Sequence, residues 1–557
     1  MTRRMRITVV GGGAAGLWAA RRFRDLMGGE VDVELFDDRP SEEGLGIVLE
    51  SSFVRSLDRA VPGTADGIRA AACSWDRVTV RTGGREVSAG GHHIHGLARG
   101  RLRAVLRASA RSAGVTVREG RRPRGEETLS CDLVVAADGA GSTIRQSLAD
   151  RLGTRTRLSR TGYLWASVRS ALVRPGFLVV PAGSGRLVGH TYPFRPDRHT
   201  MVVEGPEELL RATGLWSSRG AELADRLTAL FRPEAPDLRF DVPRRGFRHF
   251  RTVSNERWSA GRTVLAGDAA HTTHFSIGSG TALAIEDAEA LAGHLAAAPS
   301  LSQALHDYQS ERAEALRSIR LDAEASEEWF AGIGHAAGTE PHQLMFALRT
   351  RRDITSYAGL LRRDPDFVRE VMRRLSAGTD SAAERPSALP LLLSGSLPPT
   401  GRILAEERRP GLPRGVTTLV DAQRATGIRA GEPVALLADD QELMENGTLR
   451  RVGGRLPRGL RLAGAARPGT GADDARWDFL AVPASPGPRV MATRSALSWR
   501  EASGKPVGLL APTVSADEAD TLIAAGRIDF AIRAAGGPEA RASLAPVEER
   551  DGTCHAS

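Results

Sequence analysis

The sequence predicts an α/β protein, and three observations carry that prediction. Arg6 to Val10 is a short β-branched run, followed by three glycines and by apolar residues at helical spacing from Ala14 to Met27. From about residue 160 to 255 the pattern changes to alternating runs such as GYLWASV, GFLVVP and HTMVVEG separated by Gly, Pro and Asp, as in antiparallel strands. Thr263 to Leu265 then returns to the parallel-strand type. The expected architecture is a Rossmann-like nucleotide-binding domain interrupted by an antiparallel β-sheet, then a helical segment and a C-terminal α/β region.

Each element follows in order. Val31 to Phe36 alternates as a second strand and completes the opening of a βαβ unit. Leu102, Leu106 and nearby alanines read as a helix, and Asp132 to Ala136 as a buried parallel strand ending at Asp138-Gly139. Thr281 to Leu295 reads as a helix with small residues on its packing face. The expected parse is 1–160 as the first part of the nucleotide-binding domain, with a β-hairpin near 75–95 joining the inserted sheet, and 161–255 as that sheet. It continues with 256–300 as the second part, 301–378 as helical, 379–395 as a Ser/Ala/Pro-rich linker and 396–557 as a separate domain.

A chain of 557 residues exceeds the roughly 250–300 that one core supports, so several domains are expected. Its 76 Lys and Arg against 67 Asp and Glu give +9, but the basic residues are interspersed with acids. That spread argues against nucleic acid as a partner and for anionic small molecules. Cys73, Cys131 and Cys554 have no metal or disulfide spacing, so no metal site is expected and a reducing cytoplasm fits. The N-terminus imitates a signal peptide until its glycines interrupt the apolar run, and no segment has the uncharged length of a membrane span.

Three separated motifs carry the chemistry. Gly11, Gly13 and Gly16, with Ala14 and Ala15 opening the helix, form GxGxxG: a tight turn, a close approach for a diphosphate, and close helix packing. Asp37, about 20 residues on at the end of the second strand, is placed to accept ribose hydroxyls. The second motif is Asp138-Gly139-Ala140-Gly141-Ser142-Thr143-Ile144-Arg145, and the third is Gly267-Asp268-Ala269-Ala270-His271 followed by Gly278-Ser279-Gly280. Glycines opening a helix aim free N–H groups and a positive dipole end at an anion, such as the pyrimidine ring of a reduced flavin.

With these motifs in order, the chain resembles the flavoprotein aromatic hydroxylases of the para-hydroxybenzoate hydroxylase type. HTTHFSIGSGTALAIEDA and SEEWFAGIGHAAGTEPHQLMFALRTRRDITSYAGLLRRDPDF are similar to the branch acting on aryl thioesters, salicylyl-CoA 5-hydroxylase and the monooxygenase half of anthraniloyl-CoA monooxygenase. The resemblance runs to about residue 375. Ala282 stands where that branch usually carries a lysine, and Phe275 where the wider family has proline. It implies FAD as cofactor, NAD(P)H as a transient co-substrate without a dinucleotide fold of its own, and hydroxylation of an electron-rich ring by O2 through a flavin hydroperoxide. The arene is free or linked to CoA or a carrier protein. By resemblance, Arg99 contacts the diphosphate side, Asp138, Gly139 and Arg145 serve FAD and the passing nicotinamide, and Asp268 binds the ribityl chain. VGLLAPTVSADEADTLIAAGRIDFAIRAAGG looks like the last strands of an old-yellow-enzyme-like barrel. The C-terminal region is shorter than a whole (β/α)8 barrel, and Ala511-Pro512 and Ala535 stand where a phosphate loop would offer Gly and Arg, so a degenerate, FMN-free domain is expected.

Deprotonating a phenol or aniline-type substrate favours histidine, whose pKa lies nearest neutrality, and His190, His274 and, beside His190, Tyr192 are the catalytic candidates. His190 and Tyr192 share one strand face, whereas His271 reads as a structural partner of the Asp268 loop. Trp165, Phe194, Trp329 and Phe330 are candidates for an aromatic wall, and Arg349, Arg351 and Arg352 for phosphate contacts. Efficient turnover and an FAD-binding scaffold both remain open on residues alone. A simple dehydrogenase would need neither of the later motifs.

Overall fold

The computed structural model describes residues 4–38, 44–121, 123, 130–171, 174–333, 341–352 and 354–375, and in the C-terminal part 460–462, 479–483, 507–510, 516–525, 527 and 530–532. The chain divides into two compact units, 1–345 with 351–354, and 346–350 with 355–557.

In the first unit, the run Leu133–Ala136 is apolar at every position because every position is buried. It lies inside a six-stranded sheet ordered Ser259–Ala260, Thr263–Leu265, Leu133–Ala136, Met5–Val10, Val31–Asp37 and Thr116–Glu119. All neighbours are parallel except the first pair. The helices Ala14–Met27 and Gly280–Ala297 pack on one another, tied where Trp18 Nε1 donates to Glu289 Oε2 at 2.8 Å and Arg22 pairs with the same carboxylate. Small residues allow that approach, and the core around the sheet joins Leu17, Trp18, Phe23, Ile285 and Leu291.

The inserted sheet has eight strands. Seven run in the order Arg239–Asp241, Arg155–Arg169, Arg198–Pro206, Gly185–Arg195, Gly176–Ala182, Val78–Thr82 and Arg85–Ala89, and Arg248–Ser254 pairs with Arg155–Arg169. The hairpin of Val78–Thr82 and Arg85–Ala89 joins this sheet through a parallel pairing with Gly176–Ala182. The sheet begins at Arg155, ahead of the boundary expected at 161, since residues 155–158 are exposed and carry no apolar alternation. A register shift between Leu158 and Gly162 marks the passage into the buried part of the strand. Beneath it, the Gly220–Phe231 helix buries Leu223, Leu227 and Phe231 against Leu164, Met201 and Val203.

A three-stranded antiparallel sheet, Gly46–Glu50, Ile94–Ala98 and Cys73–Trp75, was not legible as such in the sequence. It is stitched to the large sheet at Gly46, whose N–H donates to Thr200 Oγ1 at 2.6 Å while Tyr192 O–H donates to the Gly46 carbonyl at 3.2 Å. The first unit also holds the helix Leu301–Ala331.

In the second unit, Leu460–Leu462, Phe479–Pro483, Val507–Leu510 and Phe530–Ile532 form a parallel sheet in that order, with the helix Ala516–Ala524 between the last two strands. This helix receives the start of the helix Tyr357–Arg363, where Tyr357 N–H donates to Thr521 Oγ1 and Ala358 N–H to Asp517 Oδ1, both at 2.8 Å. The linker at 379–395, and Ala511, Pro512 and Ala535, lie outside the described residues.

Candidate active site

The three motifs converge, and the glycines show how. A side chain at Gly11, where φ is +119°, would strike the Ala137 carbonyl and the Asp138 backbone, and one at Gly16 would strike the Gly11 carbonyl. At Gly13, by contrast, a Cβ would meet nothing within 4 Å. The turn is therefore packed on two sides and open on the third, the side from which a diphosphate approaches a backbone. Gly267 is wedged between Ala15 and Ala284, so the Asp268 loop lies between the openings of the helices Ala14–Met27 and Gly280–Ala297. Neither helix carries an acidic residue in its first turn, and neither N-cap residue makes a side-chain capping bond. Their N–H groups and dipole ends suit an anion at both places. This donor set fits FAD.

Gly139 (φ +86°) and Gly280 would likewise meet nothing within 4 Å with a Cβ added, and Gly278 (φ +69°) would touch only Val48, at 3.5 Å. Asp138 accepts the Thr143 N–H at 3.0 Å at the strand end. Asp268 is exposed to solvent, yet enough protein surrounds it that desolvation raises its carboxyl pKa. Arg99 opens its helix exposed, with its guanidinium over the Trp165 ring at 5.5 Å and its charge felt at both Tyr192 and Asp268.

Two of the residues expected to hold the cofactor are engaged by the protein's own groups. Asp37 is 1% exposed and both its oxygens accept from Arg103 at 2.8 Å, with Arg107 adding a bond at 2.7 Å. The reason is helical spacing: Arg103 and Arg107, four apart, share the face of Arg99–Ser112 that meets the strand end. Arg103 Nε also donates to the Gly12 carbonyl at 2.8 Å, so it braces the glycine turn, a role the sequence reading missed although the Arg99, Arg103, Arg107 periodicity signals it. Arg145 is also inward, 2% exposed, donating to the Ala269 carbonyl at 3.1 Å and the Ala140 carbonyl at 2.6 Å. It ties the second motif to the third.

The third motif has its own clamp. Asp287, fully buried, accepts from Gly267 N–H at 3.0 Å, lies 2.8 Å from His271 Nε2, and accepts from Arg312 Nε at 2.8 Å. Burial pushes this carboxyl up, but the charges and hydrogen bonds of His271 and Arg312 outweigh it and leave its pKa below the usual carboxylate value. His271 is thus placed as a structural partner of the loop.

Beyond the loop lies an aromatic cluster centred on Phe275, whose ring centroid is 4.9 Å from Tyr163, 6.0 Å from Trp165, 6.0 Å from His190 and 4.2 Å from His274. Phe330 packs at a tilt against His190 at 4.4 Å and Trp329 meets Phe330 edge-on at 4.9 Å. Phe194 packs instead beside Gly46. Tyr163, Phe177 and Phe250 belong to the cluster without having been singled out, and Phe275, noted in the sequence only for replacing a proline, is its centre. Arg351 places its guanidinium 5.4 Å from the Phe330 centroid and donates to Ser326, while Arg352 pairs with Asp322, so both are engaged inside the first unit.

The catalytic candidates separate into two places. Tyr192 sits with Arg99, Trp165 and Thr200, and burial raises its pKa. His190 and His274 meet at Glu204, a residue the sequence reading did not single out. His190 Nε2 is 3.3 Å from one carboxylate oxygen and His274 Nε2 is 3.6 Å from the other. Desolvation depresses the His190 pKa to about 3 and lowers that of His274, and raises that of Glu204. Among the described residues there is no cluster of His, Cys, Asp and Glu that would hold a metal, and no helix long and apolar enough to cross a membrane.

A sequence family described as an FAD binding domain matches residues 112–320. The 3-hydroxy-4-methyl-anthranilyl-(aryl-carrier protein) 5-monooxygenase of Streptosporangium sibiricum is 36% identical over 332 residues, covering 59% of this chain and 90% of that one. A salicyloyl-CoA 5-hydroxylase of a Streptomyces species is 30% identical over 363 residues, covering 62% and 70%. A crystal structure of 2-methyl-3-hydroxypyridine-5-carboxylic acid oxygenase superimposes with a TM-score of 0.50 at 21% identity, over 65% of this chain and 98% of that one, and shares the fold. The chain belongs to the FAD-dependent aromatic monooxygenase family.

Proposed function

We propose that this monooxygenase hydroxylates an amino- or hydroxybenzoyl ring carried as a thioester on CoA or on a carrier protein, with NAD(P)H as the passing reductant. The observation that carries the reading is the Phe275-centred aromatic cluster with two buried histidines beside the convergence of the three glycine motifs. The thioester rests on the two relatives whose names specify a carrier protein and CoA.

Bound and reduced, FAD activates O2 so that one oxygen atom passes to the ring. In this reading the residues divide the remaining work. Gly11, Gly13, Ala14, Ala15 and Gly16 hold the diphosphate, with Arg99 beside it. Asp138 and Gly139 line the cofactor's path, and Gly267 and Asp268 hold its ribityl chain. The helix opening at Gly278 and Gly280 stabilises negative charge on the reduced ring through its dipole. Asp37 and Arg145 act through the bonds described above, shaping the turn and the loop. The aromatic side chains exclude water and hold the substrate ring flat, while His190, His274 and Tyr192 meet its polar substituents. We also read 1–160 with 256–300 as the FAD domain, 161–255 as the substrate sheet, and the strands after residue 460 as part of a degenerate barrel without FMN.

The test is a panel of free, CoA-linked and carrier-linked amino- and hydroxybenzoates, incubated with the FAD-loaded protein, NADH or NADPH, and air. A mass gain of one oxygen confined to the thioesters is expected. Hydroxylation of the free acids alone overturns the thioester reading.

A further inference from the structure

Glu204 is 1% exposed, in the interior strand Arg198–Pro206 of the large sheet. A carboxyl so buried is costly unless its partners compensate. Thr161 Oγ1 donates to Oε1 at 2.8 Å. The other neighbours are imidazoles: Glu204 Oε2, His190 Nε2 and His274 Nε2 are all buried, and none makes a well-directed hydrogen bond despite separations of 3.3 and 3.6 Å.

The surrounding bonds say where protons lie. Ser276 Oγ donates to Ser326 Oγ at 2.8 Å, so its lone pair takes the N–H of His274 Nδ1, also at 2.8 Å. Arg351 Nε fixes Ser326 from the other side at 2.9 Å. A neutral His274 with its proton on Nδ1 has a bare Nε2, which then faces Glu204 Oε1, the oxygen that accepts from Thr161. Two acceptors oppose each other unless a proton lies between them. The cluster therefore has a vacancy for one mobile proton, shared among a carboxyl and two imidazoles, with the buried hydroxyls of Ser276 and Ser326 fixing the His274 proton.

We propose that the Glu204 carboxylate accepts, by way of His190, the proton that a ring hydroxyl or amino group of the substrate gives up, and stores it until the product takes a proton back. The proposal rests on the functional reading above. In the step, the substrate O–H or N–H bond breaks and its electron pair stays on the arene, which raises the nucleophilicity of the ring carbon. His190 takes that proton while a proton passes from its Nε2 to Glu204 Oε2. As the hydroxylated product takes a proton back on that oxygen or nitrogen, the path runs in reverse: Glu204 Oε2 returns its proton to His190 Nε2 while the other imidazole nitrogen gives its proton to the product. Burial favours the neutral carboxyl, so its basicity is raised toward the working pH, where proton acceptors are most effective. The charged groups acting on the cluster are Arg351, Glu327 and Arg157, the last two paired at 2.8 Å.

The experiment compares wild-type FAD holoenzyme with Glu204→Gln and Glu204→Asp, using salicyloyl-CoA and 3-amino-4-hydroxybenzoate as probes. NADPH oxidation and hydroxylated product are followed from about pH 5.5 to about pH 9, and infrared difference spectra record protonated carboxyl over the same range without any arene. Glu204→Gln is expected to keep its FAD and its KM, lose the acidic limb of the kcat profile, and fall about a hundredfold in kcat at neutral pH, with Glu204→Asp recovering part. A protonated-carboxyl band that grows as pH falls is expected in the wild type and absent from Glu204→Gln. Wild-type rate and limb in Glu204→Gln, or an unchanged band, overturns the proposal. Should Glu204→Gln lose FAD, Ser326→Ala, which loosens the bond fixing the His274 proton, decides: a slowed turnover with a displaced limb supports the proton store, and a wild-type profile overturns it. If the infrared band behaves as expected but no probe gives product, the functional reading fails and the proton store stands.

Discussion

At the scale of single residues, His190 connects the chemistry to the stability. Its pKa is about 3 in the fold against 6.5 when solvated, because burial penalises the imidazolium and the charge of Arg351 adds to the penalty. A base whose folded pKa is depressed contributes stability that is fully present above 6.5 and is lost as the pH falls from there toward about 3. His274 moves in the same direction. Unfolding free energy is therefore expected to drop by up to about 1.4 kcal/mol per pH unit for each such group below neutrality. Denaturant melts at a series of pH values check this, and His190→Gln should flatten the slope; an equal slope in the variant contradicts it. His190 and His274 were legible as candidates because histidine titrates near neutrality. Glu204 was not, since a lone glutamate in the run HTMVVEG looks like an exposed strand position until register puts it opposite His190's strand.

Elements show what pattern reasoning captures and what it omits. The turn at Gly11 to Gly16, the strand end at Asp138 and the loop at Gly267 were all readable, because each is a local change from strand to helix punctuated by glycine. What holds these turns was not readable, because it comes from far along the chain. Arg103 reaches Gly12, Arg145 reaches Ala269, and Arg312 reaches Asp287. Asp287 is the keystone of the last loop, and Asp287→Asn leaves the Arg312 guanidinium buried with its charge uncompensated on that side. A loss of about 3 kcal/mol is expected, of the size seen when one partner of a buried pair is removed. The Gly267 N–H also loses its anionic acceptor, so FAD retention in equilibrium dialysis should weaken in parallel. A variant with wild-type melting and FAD content contradicts the clamp. The start of the strand at Arg155 was missed for the opposite reason, being exposed and so carrying no apolar signature.

Across the whole molecule, every glycine motif, the aromatic cluster and the Glu204 site fall within 1–345 and 351–354, one of the two compact units. A chain ending at residue 375 is therefore expected to keep a full complement of FAD. The helix Tyr357–Arg363 then loses the Thr521 and Asp517 acceptors of its first N–H groups. Flavin absorbance and limited proteolysis check both halves, and a colourless truncated chain contradicts the first. The fold of the leading unit was readable because its segments alternate cleanly in period. The trailing region was readable as α/β, since FLAVPA and VGLL are the strands Phe479–Pro483 and Val507–Leu510 and the helix Ala516–Ala524 lies between strands, although its apolar runs are short and divided by Gly and Pro. The seam at Gly46, with Thr200 and Tyr192 on either side of one peptide, has a mechanical meaning. It rivets the small sheet to the large one directly alongside Arg99, so the two layers travel as a single plate. Access for an arene to Phe275 is accordingly expected to depend on side-chain rotamers, because these two bonds hold the sheets in register.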